Sequence, residues 1–229
     1  MPWDNVLAVA LIMGLVGLAI LIVLWPGEKQ GKRLLKRWGV PDPDDAEVTL
    51  AVRYLKRRRF WYPWLFLAIP PLLDRTAGSL FTTLMLGGLI AELLAQRPSR
   101  APRREAVLAR RTLLDLVPGW AIGLSVLAVV ASAGYLAVAG RWTPLAVSVG
   151  AFVVSWAIAL LALRRPAVGD RADLALRCRS ARVAIGLGIA TCAAGAEPVQ
   201  TFGAFLSFAV GLAVFSAVAA PVKRLPTAT

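Results

Sequence analysis

The sequence predicts an all-α, polytopic helical membrane protein with seven transmembrane helices, one N-terminal helix followed by three hairpins, and short amphipathic helices on the cytoplasmic side. Three observations predict it. Of 229 residues, 58% are hydrophobic, more than a soluble domain of this size buries, and the mean hydropathy is +0.68. The apolar residues fall in long runs, several of them long enough for a helix to cross a bilayer. The cations crowd into alternate connections between those runs, the asymmetry expected when basic loops stay on the cytoplasmic side.

The first run, Asn5 to Trp25, has Asp4 before it and Lys29, Lys32, Arg33, Lys36 and Arg37 after it. A signal peptide has the opposite charge order and a shorter apolar region. Residues 1–25 therefore read as a retained transmembrane helix with its N-terminus outside.

Residues 26–59 form the longest polar segment, a basic cytoplasmic stretch. Pro41-Asp42-Pro43-Asp44-Asp45 is a turn followed by a helix start. Acids at that start and the cluster Lys56-Arg57-Arg58-Arg59 at the other end both suit the helix dipole. Val48, Ala51, Val52 and Leu55 recur at helical spacing, which predicts an amphipathic helix lying at the headgroups.

Residues 60–220 read as six membrane helices in three hairpins. Thr76–Ala95, Leu116–Ala139, Pro144–Leu163 and Phe202–Ala220 are long enough to span; Phe60–Leu73 and Val183–Ala196 are short. Counting both short runs places 26–59, 96–112, 164–182 and the tail 221–229 inside. Those segments hold 24 of the 26 Lys and Arg residues, and the outside connections hold only Arg75 and Arg141. Dropping either short run would put a basic loop outside. The location this implies is a cytoplasmic membrane with the C-terminus inside, and the Ala-, Arg- and Gly-rich composition points to a bacterium.

An internal repeat runs at an offset of 68 residues. Arg97, Pro98, Arg103, Leu108 and Arg111 fall on Arg165, Pro166, Arg171, Leu176 and Arg179, and Glu105 falls on Asp173. A fainter copy places Glu47, Leu50 and Arg53 on Glu105, Leu108 and Arg111. Each copy is an acid, a Leu three later and an Arg three after that. Six residues of separation keep the acid and that Arg from pairing on one helix face.

The net charge of +13 alone could suggest nucleic acid. Basic runs interleaved with apolar runs make a bilayer the expected partner instead, and no nucleic acid is expected. There is no His, which removes the usual general base and the commonest metal ligand. Walker, GxGxxG, HExxH, CxxC and GxSxG motifs are all missing from the chain. No catalytic residue, metal site or cofactor is expected.

Candidate contacts to anionic headgroups or to a protein partner in a membrane complex are Lys56, Arg57, Arg58, Arg59, Trp61, Arg103, Arg111, Arg171 and Arg179. Candidate transport residues are Glu92 and Asp115, carboxylates near helix ends, with Pro70 and Pro71, which interrupt a short run as Gly186 and Gly188 interrupt the other. The GxxxG of Gly119 and Gly123, and the four-residue spacing of Gly186, Ala190 and Ala194, read as helix packing faces. The expected function is a non-catalytic membrane subunit, a scaffold, accessory or permease component. The alternatives are a small-molecule transporter and, last, an intramembrane lipid-modifying enzyme.

Overall fold

The computed structural model describes residues 3–23, 25–68, 77–96, 112–164, 171–195 and 202–221. The described residues are all-helical. The helices are α1 (Trp3–Val23), α2 (Glu28–Arg37), α3 (Asp45–Phe60), α4 (Tyr62–Ala68), α5 (Ala77–Ala95), α6 (Leu113–Leu116), α7 (Gly119–Val138), α8 (Trp142–Arg164), α9 (Arg171–Gly195) and α10 (Phe202–Val218).

The polar segment folds as two helices rather than one. α2 stops where Gly39 takes a positive φ of 86°, and Val40 N–H bonds back to the Leu35 carbonyl at 3.0 Å. This is a Schellman stop, with the two apolar residues that flank it packed together; Leu35 and Val40 are both fully buried. Asp44 then caps α3, its carboxylate accepting from Glu47 N–H at 2.6 Å while Glu47 accepts from Asp44 N–H at 3.1 Å. Such a cap is worth about 1 kcal/mol. The expected start of α3, and the placement of acids at its head and Arg57–Arg59 at its foot, agree with the structure.

α9 is the axis of the fold. It is buried on all sides from Ala172 to Cys192, apart from a few half-buried positions, and packs against α3, α5, α7, α8 and α10. α8 meets it with one stripe, Ser148, Ala151, Ser155, Ile158, Ala159 and Ala162. α7 contributes a narrower stripe of Ala121, Ser125, Ser132 and Leu136. The remaining faces of α7 and α8 are apolar and exposed, with Val126, Leu127, Val130, Val149 and Val153 among them. A helix on the surface of a water-soluble core would carry polar residues there.

Among the described residues, α7 and α8 are long and apolar enough to cross a membrane, and Gly14–Val23, Leu84–Ala95 and Phe205–Val218 are shorter apolar stretches. The described part of the short run, residues 183–195, is not a separate element. It is the second half of α9, which continues unbroken from the polar segment before it. Gly186 and Gly188 do not interrupt that helix; they let α10 and α8 pack close against it. A Cβ on Gly188 would lie 2.6 Å from Ser155 Oγ, and one on Gly186 would lie 3.0 Å from the Phe215 ring. Gly123, in contrast, has open space around it, so the GxxxG of α7 makes no close packing contact within the chain at that position.

α3 does not lie free at a surface as its amphipathic pattern predicts. Val48, Ala51, Tyr54 and Leu55 are buried against α2, α5 and α9. One core joins Leu35, Trp38, Val40, Val48 and Ala51 to Leu116, Ala159, Ala162 and the Ala172–Ala181 stretch of α9. The first half of α9 therefore serves as the floor on which the α2–α3 hairpin sits.

Candidate functional site

Three helices bring their polar residues to one buried point. Glu92, in the last turn of α5, is fully buried. Tyr54 and Arg58 reach it from consecutive turns of α3, and Arg179 and Ser180 from α9. The Tyr54 hydroxyl and the Ser180 hydroxyl both donate to Glu92 Oε1. Arg58 Nε lies 2.9 Å from Glu92 Oε2, although neither atom has an aligned hydrogen bond, so their contact is one of charge. Arg179 Nη1 stands 3.9 Å from the same oxygen, donates to the Tyr54 hydroxyl, and carries its guanidinium over the Tyr54 ring at 5.3 Å. Gln96, one turn beyond Glu92, donates to Ser180 Oγ at 2.6 Å.

The electrostatics follow from burial and from an excess of cations. Burial pushes the Tyr54 phenol well above its ordinary value; Arg179 opposes this and Glu92 reinforces it. Tyr54 is therefore a neutral donor. For Arg58, burial alone would lower the guanidinium, but the Glu92 carboxylate together with the Tyr62 and Tyr54 phenols more than offsets it, and the net shift is upward. Arg59, half-buried beside them, is lowered, first by burial and then by the like charges of Arg58 and Arg179, against an opposing effect of Tyr62. One carboxylate thus serves several guanidiniums in a poorly hydrated place. An isolated buried carboxylate would cost several kcal/mol.

The other buried ions are also paired. Arg177 grips Asp173 one turn earlier on α9, at 2.9 and 2.6 Å from Oδ2. Glu47, besides capping α3, lies 3.6 Å from Arg171. Arg182 donates to the Leu116 carbonyl at 3.0 Å and the Ala220 carbonyl at 3.2 Å, joining the end of α6 and the end of α10 at the level where α9 turns apolar.

Next to the Glu92 cluster lies an open groove of about 360 Å³. Trp25, Lys56, Arg57, Phe60, Trp61 and Leu94 line it. Lys56 Nζ sits 5.7 Å from the Trp25 ring centre, and Phe60 meets Trp61 edge to face at 5.7 Å.

The expected contact residues are thus divided. Lys56, Arg57 and Trp61 line the groove. Arg58 and Arg179 turn inward to the Glu92 carboxylate. Arg171 is mostly exposed beside Glu47. Glu92 is not joined by Asp115, which is exposed and caps α6 by accepting from Thr112 N–H at 2.6 Å. Arg103, Arg111, Pro70 and Pro71 lie outside the described residues. Sequence reasoning missed Tyr54, Ser180 and Gln96. The signal available was spacing: Tyr54 and Arg58, like Glu92 and Gln96, are polar residues four apart on otherwise apolar helix faces.

Comparison with known protein families, with curated proteins and with solved structures finds no match.

Proposed function

We propose that the chain is an integral membrane protein that works as a non-catalytic subunit, a scaffold that holds a basic cytoplasmic face for an assembly partner and for anionic lipid. The observation that carries this reading is the use made of the buried charges. Glu92 with Arg58 and Arg179, and Asp173 with Arg177, are paired in charge, and Arg182 is hydrogen-bonded to helix-end carbonyls. All of them fasten helices or helix turns, and none is left as an acid or base facing a substrate. The outside of the described chain carries apolar faces on α7, α8 and α10, and exposed cations on α2 and α3.

The seven-span threading with the N-terminus outside belongs to the same reading, and the packing favours it. The ends that should be cytoplasmic meet at two places. Trp25 after α1, Phe60 and Trp61 before α4, and Leu94 at the foot of α5 share the groove. Leu116, Arg182 and Ala220 share the Arg182 hydrogen bonds. The ends that should be external also meet, since Ser132 donates to Ser148 at 3.2 Å and Cys192 contacts the Ser148 carbonyl.

Affinity purification of the tagged chain from its native membrane in mild detergent tests the subunit role. A second polypeptide is expected in stoichiometric amount, lost when the exposed Lys36 and Arg171 are both changed to Glu. Recovery of the chain alone, intact and monodisperse, overturns the proposal.

A further inference from the structure

The groove beside Glu92 combines two chemistries that are rarely adjacent by accident. Among the described residues its lining holds two cations, Lys56 and Arg57. It also holds three aromatic rings and a Leu, on Trp25, Phe60, Trp61 and Leu94. Phe60 and Trp25 are about half exposed, so the apolar wall is open to whatever lies against it. A phosphate between the ammonium and the guanidinium would satisfy the first chemistry, and the upper part of an acyl chain would cover the second.

We propose that this groove is a binding site for one anionic phospholipid, its phosphate held by Lys56 and Arg57 and its glycerol and acyl root lying on Trp25, Phe60 and Trp61. The inference rests on the membrane-embedded reading above, because the occupant is taken from the bilayer. Charge complementarity decides the class of occupant: a zwitterionic lipid carries its own cation into a site that already has two. The Arg58–Glu92 pair acts as a positioning element. It clamps the last turns of α3 and α5 together, and so sets Leu94 opposite Lys56 and Arg57.

The test uses the full chain reconstituted into phosphatidylcholine liposomes, with acyl-brominated phosphatidylglycerol or acyl-brominated phosphatidylcholine as tryptophan quencher. The chain has eight Trp residues, so the groove signal is the difference between the wild type and the Trp25→Phe/Trp61→Phe variant. Two cations at a membrane surface predict a preference for the anionic lipid of about tenfold, falling to near unity in Lys56→Gln/Arg57→Gln. Arg53→Gln removes a cation from the exposed side of α3 outside the groove and should retain the preference.

Equal quenching by the two lipids overturns the proposal, as does an unchanged preference in the Lys56/Arg57 variant or an equal loss in Arg53→Gln. Full relief of the quenching by an equimolar poly-glutamate peptide would assign the groove to an acidic protein segment and also overturn it. A chain that cannot be reconstituted into the bilayer fails the membrane reading itself, whereas one that reconstitutes but shows no preference fails only this assignment.

Discussion

Glu92 is the residue on which the polar interior turns. It is the acceptor for two hydroxyls and the counter-charge for two guanidiniums drawn from different helices. Removing it leaves Arg58 and Arg179 buried without an anion, and breaking such a group costs about 3–5 kcal/mol. Glu92→Gln is therefore expected to lower the thermal midpoint of the purified chain sharply, read by tryptophan fluorescence in detergent. Arg58→Met combined with Glu92→Met should be more stable than Glu92→Met alone, because the second change removes one of the two stranded cations. A Glu92→Gln variant as stable as the wild type would mean that the cluster is not a fastener. Glu92 is legible in the sequence as a carboxylate at a helix end, but its partners are not. The nearest cation along the chain, Arg97, is a natural candidate by proximity and lies outside the described residues; among the described residues the packing supplies Arg58 and Arg179 from elsewhere in sequence. Long-range pairing leaves no local trace apart from the four-residue spacing of polar side chains.

At the scale of the element, the helices follow rules that are mostly local and were mostly readable. The acids and cations at the two ends of α3, its capping acid, and the apolar runs of α7, α8 and α10 are in the sequence and in the structure. α9 is where local reading falls short. Its first half is polar enough to read as a loop and its second half is too short to read as a span, yet the two are one rod. What the sequence does carry is its fine packing. Gly188 sits where a Cβ would strike Ser155 of α8, 2.6 Å from Oγ and 2.9 Å from Cβ. Gly188→Ala is expected to cost about 1–3 kcal/mol, and Ser155→Gly should return most of it in the double variant. Gly123→Ala, with nothing near the added methyl, should stay within about 0.5 kcal/mol of the wild type. Equal effects at Gly123 and Gly188 in the same melting assay would refute the α8–α9 approach.

At the scale of the molecule, the division of cations is the ground for the proposed threading. Twenty-four of 26 Lys and Arg residues fall in four segments, and the described parts of those segments are drawn together around α3 and the first half of α9. The prediction is one of sidedness. With Cys178 and Cys192, both buried, replaced by Ala, Arg141→Cys in intact cells should react with a membrane-impermeant maleimide. Arg53→Cys should react only after the membrane is opened. The reverse pattern would invert the whole arrangement. The all-helical class and the two membrane-length helices α7 and α8 were legible because hydropathy is a property of the chain as a string. The seating of α2 and α3 on α9 was not, because an amphipathic helix looks the same whether its apolar side meets lipid or protein.

The continuity of α9 has a consequence for biogenesis under this threading. Its entry half carries Arg171, Asp173, Arg177, Arg179 and Arg182, and the stretch that follows, Val183 to Cys192, is shorter than the roughly 20 apolar residues a lone span requires. Such a segment has little reason to leave the translocation channel sideways on its own. Under that threading its residence in the bilayer would come from α8, made before it and long and apolar enough to enter lipid alone, and from packing against α10, made after it.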